Sequence, residues 1–163
     1  MDKLEKDVLE ILTKDCRTTA ETIASMLGES EEEVKKTIHS LERRGVIVKY
    51  AAILNAENEE DDRVEALIEV KVTPQSGSGF DGVAEEIAAH EEVKNLYLMS
   101  GAYDFLVIVE SKSIRSVSRF ISECISTFDC VISTSTHFIL KKYKIEGAYT
   151  KQKKSGGRLS VLA

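Results

Sequence analysis

The residues with the most chemical capacity lie at Gly101-Ala102-Tyr103-Asp104, a short interruption between two apolar runs. Glycine permits a corner at positive φ, and an aspartate beside it can do one of two things. It can accept hydrogen bonds from the backbone of its own turn, or it can present a carboxylate to a small molecule read at that corner. Met99 and Tyr103 supply apolar walls. A second set lies in the first third of the chain, where Arg17, Lys35, Lys36, Arg43 and Arg44 are interspersed with Ser30, Thr37, His39 and Ser40. Cations and small polar groups of this kind position a nucleic-acid backbone. Bond-making chemistry is not expected. The three histidines (His39, His90, His137) and three cysteines (Cys16, Cys124, Cys130) show no metal-ligand spacing. No nucleophile elbow, P-loop or dinucleotide fingerprint occurs. The expectation is a non-enzyme that uses neither metal nor cofactor.

The elements that must position these residues follow from the apolar spacing. Leu4, Val8, Ile11 and Leu12 recur at helical intervals. Thr18 or Thr19 can cap a second helix with Ile23, Ala24 and Leu27 inward, and Gly28 supplies its stop. Ser30 caps a third, with Glu33 in capping-box position, Val34, Ile38 and Leu41 inward, and Gly45 closing it. Residues 46–54 then switch to a β-branched pattern that predicts a strand. The acidic run 55–62 reads as a solvated linker, since it lacks the glycine and alternating oxygens of a calcium loop.

Beyond it the pattern predicts a strand over 64–73, a loop over 74–79 and a helix over 80–90. Strands over 93–100 and 103–110, a helix over 113–128 and a strand over 131–140 follow. The order βαββαβ is that of an α+β, ferredoxin-like split sandwich, with two helices on one face of an antiparallel sheet. The sheet face without helices favours pairing with a second copy. Four parts result: 1–50 a helical head, 51–62 strand and acidic linker, 63–146 the βαββαβ domain, and 147–163 a flexible basic tail.

Composition agrees. At 163 residues, 42% apolar and 31% charged, the chain can hold one ordinary globular domain or two small ones and is not a disordered segment. No apolar run reaches the roughly 18 residues of a membrane helix, and the charged start Met1–Asp7 lacks a signal-peptide core. A cytoplasmic protein with free thiols is expected. A net charge of −6 argues against gripping nucleic acid over the whole surface, while leaving room for a local basic face.

Two sets of residues carry a resemblance. The first is Leu4-Glu5, Val8-Leu9, Ile11-Leu12, Arg17, Ile23-Ala24, Ser30, Val34, Ile38, Leu41-Glu42 and Gly45-Val46-Ile47. The second is Gly101-Ala102-Tyr103-Asp104 with Val131, Thr134-Ser135-Thr136 and Ile139-Leu140. Together they resemble the Lrp/AsnC (feast/famine) transcription regulators over nearly the whole chain. The resemblance implies a helix-turn-helix domain on double-stranded DNA and a C-terminal effector-sensing RAM domain. It also implies homodimers through the sheets, and often octamers of four dimers. It places an amino-acid effector at the Gly101–Asp104 corner, with Asp104 and carbonyls accepting from its ammonium. Backbone N–H groups or the hydroxyls of Thr134 and Thr136 would meet its carboxylate. Alternation sends Ser135 to the opposite sheet face.

The departures concern the third helix. Where the family carries arginine, this chain has Thr37 and His39-Ser40, and the helix opens on Glu31-Glu32-Glu33. Acids there favour the helix dipole by about 0.3–1 kcal/mol each but repel phosphate. An alternative is therefore a non-DNA-binding sensor with a degraded helix-turn-helix. A minor alternative is a sirohaem-decarboxylase-like enzyme, disfavoured by the acidic balance and the absence of clustered His and Arg.

Overall fold

The computed structural model describes residues 1–54, 63–73 and 79–150. The chain divides into two units, Met1–Ile53 and Leu54–Ala163.

In the first unit each helix starts where a side chain can satisfy an orphan backbone donor. Asp2 begins α1 (Lys3–Lys14) with a complete capping box, exchanging bonds with Glu5 at 2.8 and 3.1 Å. Thr19 caps α2 (Ala20–Leu27), which ends at Gly28 in the left-handed region, φ 73°. Ser30 caps α3 (Glu31–Arg43) by accepting from the Glu33 N–H at 3.2 Å. Only this half of the anticipated Ser30/Glu33 box forms. Val8, Leu12, Ile23, Ala24, Val34 and Leu41 make the core of the unit. Each large aliphatic among them contributes about 1.5–3 kcal/mol relative to exposure.

The strand anticipated over 46–54 is absent. These residues carry no strand pairing, and Val48, Tyr50, Ile53 and Leu54 are exposed. β-branched residues favour extended backbone, but a strand exists only against a partner, and no described segment of this chain supplies one.

In the second unit, β1 (Val64–Val72), α4 (Asp81–Ala88), β2 (Val93–Leu98), β3 (Phe105–Ser111), α5 (Ile114–Glu123) and β4 (Val131–Phe138) follow in the anticipated order. The antiparallel sheet runs β2-β3-β1-β4. Alternation decides its faces. Ala66, Ile68, Val70 and Val72 on β1 and Phe105, Val107 and Val109 on β3 are buried with Val83, Ile87, Val117 and Phe120 from the two helices. Leu67, Leu106 and Ile108 point to the other face and remain partly exposed. α5 stops earlier than its apolar spacing predicts. Cys124 leaves helical geometry, and a single 3-10 turn (Ile125–Thr127) follows, where the Thr127 hydroxyl donates to the Cys124 carbonyl at 2.6 Å.

The C-terminal boundary also needs correction. Residues 147–150 are not tail: β5 (Lys144–Ile145) and β6 (Ala148–Tyr149) form a hairpin. Its two turn residues, Glu146 at φ 44° and Gly147 at φ 84°, are both left-handed, as a tight hairpin turn demands. Thr150 is buried at the base and donates from its hydroxyl to the Lys142 carbonyl. The acidic linker 55–62, most of the 74–79 loop (74–78) and the tail 151–163 lie outside the described residues.

Candidate functional site

The corner between β2 and β3 is a hairpin loop closed by the Met99 N–H donating to the Asp104 carbonyl at 2.7 Å. Asp104 then reaches across to β1 twice. Its N–H donates to the Val70 carbonyl at 3.0 Å, and its Oδ2 accepts from the Val72 N–H at 2.8 Å. Both bonds flank the irregularity in β1 between Lys71 and Val72, where the β1–β4 register shifts. The β1–β3 ladder ends at Val70 and Phe105, so beyond it the Asp104 side chain serves as the acceptor that a continuing strand would have provided to the Val72 N–H. Of the two roles open to this carboxylate, one oxygen performs the turn-stabilising one. Among the described residues the other oxygen has no partner.

Gly101 behaves differently from expectation. Its φ is not positive, and a Cβ built on it would meet nothing within 4 Å. Neither backbone geometry nor crowding within the chain requires glycine there. Gly101 and Ala102 are exposed, Met99 is 37% exposed, and Tyr103 is half-buried.

Thr134 and Thr136 do not join the corner. Thr134 pairs with Val70, and Phe105 pairs with Val70 from the opposite side, so β1 stands between Thr134 and the start of β3. Two strand spacings amount to about 9–10 Å, beyond hydrogen-bond reach. Thr136 lies two residues further along, beside Ile68. Both share the helix-covered face with buried Ile68 and Val70, and Phe138 packs on this same core. Ser135 shares the open face with Glu69 and His137, whose Nε2 lies 3.5 Å from the Glu69 carboxylate.

In the head, α3 turns Lys35, Lys36, His39 and Arg43 outward, with Thr37 and Ser40 half-buried. Most of the cations already face a carboxylate. Lys35 lies 2.6 Å from Glu31 and Lys36 2.9 Å from Glu32, each one helical turn away. The Glu31 hydrogen bond holds the Lys35 ammonium above its ordinary value. Arg17 is gripped by both oxygens of Asp15 at 3.1 Å, which raises the guanidinium and lowers the carboxylate. His39 Nδ1 is 3.9 Å from Glu42. Arg44 turns to Glu5, the capping-box partner of Asp2 in α1, and its hydrogen bond is the main reason the Glu5 carboxyl lies below the usual range. Arg44 thus ties the end of α3 to the start of α1. Ser30 is likewise engaged as a cap. Among the described residues Arg43 faces no carboxylate.

A profile of the Lrp/AsnC ligand binding domain matches residues 65–149, the stretch that contains the corner and all of the sheet but Val64. YugG of Bacillus subtilis, named as an uncharacterised HTH-type transcriptional regulator, is 48% identical over 144 residues, covering 88% of this chain and 87% of that protein. The chain belongs to the Lrp/AsnC family. Solved structures share its fold. The leucine response regulatory protein LrpA of Mycobacterium tuberculosis superposes with a TM-score of 0.75 at 23% identity, over 93% of this chain and 100% of that one. A Neisseria meningitidis transcriptional regulator in complex with L-Met gives 0.69 at 21% identity, over 89% and 93%. α1, α2 and α3 are thus the helix-turn-helix of an Lrp/AsnC regulator, and β1 to β4 its ferredoxin-like ligand-binding domain. The family members found are named as regulators of transcription, not enzymes. No helix among the described residues is long and apolar enough to cross a membrane.

Several contributors escaped the sequence reading. Val72 and Glu5, the partners of Asp104 and Arg44, lie 32 and 39 residues away from them, so no local motif links them. A cleft of about 750 Å³ also opens at the C-terminal end of β3, lined by Arg63, Glu92, Lys94, Glu110, Arg119 and Cys124 among others. Within it Arg63 bonds Glu110 at 2.8 Å, and burial pushes the Cys124 thiol up. No three His, Cys, Asp or Glu side chains among the described residues converge as a metal site.

Proposed function

We propose that this Lrp/AsnC chain is a sequence-specific DNA-binding transcription regulator whose assembly and DNA affinity respond to a small molecule, an amino acid, at the Gly101–Asp104 corner. The observation that carries the reading is the family's two domains in one chain, with the outward face of α3 presented by well-capped helices. Lys35, Lys36 and Arg43 would approach phosphates, with Thr37, His39 and Ser40 nearest the base edges. At the corner, exposed Gly101 and Ala102 leave backbone open to a ligand carboxylate, and the second Asp104 oxygen can take an ammonium. The glycine that the fold itself does not require fits a close approach by such a ligand. A leucine-responsive neighbour and one solved with L-Met support the amino-acid class.

A second copy would cover Leu67, Leu106 and Ile108 on the open sheet face, giving a two-fold dimer that matches a two-fold operator. The effector acts through its differential affinity for alternative assemblies of such dimers, up to octamers. The reading is tested by fluorescence anisotropy on the promoter region of the protein's own gene at about 50 mM salt. A specific complex that one amino acid strengthens or weakens is expected. Binding no tighter than to random duplex, with and without amino acids, overturns it.

The ion pairs on α3 favour one competing reading, a sensor that no longer reads DNA. Five of the nine candidate DNA-contact residues, Arg17, Lys35, Lys36, His39 and Arg44, face carboxylates of their own chain. Exposed pairs one turn apart are worth only about 0.3–0.5 kcal/mol, however, so phosphates can displace them at small cost. The regulator is the better-supported function.

A further inference from the structure

The cleft of about 750 Å³ at the C-terminal end of β3 is lined by opposite charges that do not pair across it. Arg63 and Lys94 both turn to Glu110, at 2.8 and 3.8 Å, and engage that carboxylate. Two cations (Lys112 and Arg119) and three carboxylates (Glu91, Glu92 and Glu123) remain, and among the described residues none of them forms an ion pair. The contrast with α3 is one of order along the helix. Lys35 and Lys36 each follow a glutamate by one turn and close on it. On α5 Arg119 precedes Glu123 by one turn, the poorer orientation for an intrahelical pair. The acids gather at one end of the cleft. Burial first, and then the Glu92 and Glu123 carboxylates, push the Cys124 thiol up, so both carboxylates stand near that sulfur. The backbone is fixed there, because the Glu92 carbonyl accepts from the Glu110 N–H at 3.0 Å. Lys112, just before α5, and Arg119, within it, supply the opposite charge, and buried Phe120 adds an apolar wall.

We propose that this cleft is a second small-molecule site and that it takes a basic amino acid. The unpaired groups carry a net charge of −1, and a ligand with one carboxylate and two cationic groups supplies the complement. Its carboxylate would meet the Arg119 guanidinium, whose planar fork matches a carboxylate, with Lys112 adding charge. Its two cations would meet Glu92 and Glu123, and its methylenes would lie on Phe120 and Cys124. Other charge patterns fit worse. A neutral amino acid leaves a further carboxylate without a partner, a dicarboxylic one brings repulsion to the acidic end, and a diamine offers nothing to Arg119. The corner is too far away to share this ligand. It adjoins the start of β3 at Phe105, whereas the cleft lies at Ser111, about 20 Å along the strand. The site is thus independent of any effector held at Gly101–Asp104.

The test follows iodoacetamide labelling of half-buried Cys124 in the full chain, mapped by mass spectrometry, with exposed Cys16 as the internal control. L-lysine and L-arginine are titrated beside L-leucine, L-glutamate and putrescine. At least one of the two basic amino acids should slow Cys124 labelling and leave Cys16 unchanged. It should half-protect Cys124 at a concentration at least about tenfold below the other three compounds. Arg119→Gln, and Glu92→Gln combined with Glu123→Gln, should each raise that concentration at least about tenfold, while Asp104→Asn should leave it unchanged. Wild-type protection alone decides the ligand class, whatever the stability of a variant. Protection of Cys124 by neither basic amino acid overturns the proposal, as does equal protection by leucine, glutamate or putrescine. So does protection that survives both cleft variants, or that Asp104→Asn abolishes, since the ligand then acts from the corner.

Discussion

Asp104 offers the sharpest separation of structure from sensing, because one side chain is asked to do two things with two oxygens. Asp104→Ala removes the acceptor of the Val72 N–H, which belongs to a residue only 4% exposed and lies just past the end of the β1–β3 ladder. A buried donor left without a partner costs about 1–3 kcal/mol. Asp104 is half-buried, so water can reach the gap in part, and about 1–2 kcal/mol is expected. For a domain of this size that lowers the midpoint of thermal unfolding by about 4–15 °C. Asp104→Asn keeps a carbonyl oxygen for Val72 but loses the negative charge. Its stability should stay within about 1 kcal/mol of wild type, while a ligand ammonium loses a charged acceptor worth about 1.5–3 kcal/mol, or roughly 10–100-fold in affinity. The assay is urea denaturation of wild type, Ala and Asn variants, paired with a thermal-shift titration of the twenty amino acids. An alanine variant that unfolds at the wild-type midpoint refutes the backbone clamp. An asparagine variant with a wild-type amino-acid response refutes the assigned recognition role.

Three further outcomes follow. Gly101→Ala should hold or raise stability by up to about 1 kcal/mol, since φ is ordinary and a Cβ meets open space, yet weaken the thermal-shift response to the effector. Arg44→Gln should lower head stability and its pH dependence together. Arg44 depresses the Glu5 carboxyl, so that stability is present above the ordinary glutamate range and lost as pH falls through it. Denaturation midpoints between pH 3 and pH 7 check this, and the Gln variant should show the shallower acid loss. Glu31→Gln with Glu32→Gln frees Lys35 and Lys36 and removes two repulsive charges, so promoter affinity in the anisotropy assay should rise several-fold at low salt and converge with wild type at high salt.

What could be read from the sequence was what is local. Asp2, Thr19 and Ser30 cap helices through bonds spanning three residues, and Gly28 ends α2 one residue past its last apolar position. Alternation along β1 and β3 is likewise local, and it sets which side chains enter the core. The failures share a cause: each depends on a partner distant in sequence. The 46–54 segment has strand composition but no described partner. Thr134 and Thr136 have suitable hydroxyls, yet the β1–β4 register turns them to the helix-covered face, one strand removed from the corner. Asp104 needs Val72, and Arg44 needs Glu5, and neither spacing leaves a trace in a one-dimensional pattern. The β5–β6 hairpin was hidden by the basic composition around it, although Glu146-Gly147 between Lys-Ile and Ala-Tyr pairs carries a turn signal. Gly101 stands at the hairpin corner, but no positive φ accompanies it.

The central claim is that this Lrp/AsnC chain binds DNA under control of a ligand held at the Gly101–Asp104 corner. The most direct measurement is promoter-duplex affinity of wild type and Asp104→Asn at about 50 mM salt, with each amino acid in turn. The account predicts specific binding by both proteins and an affinity change with at least one amino acid that the variant loses. Specific binding absent from the wild type, or an amino-acid response identical in the two proteins, contradicts it.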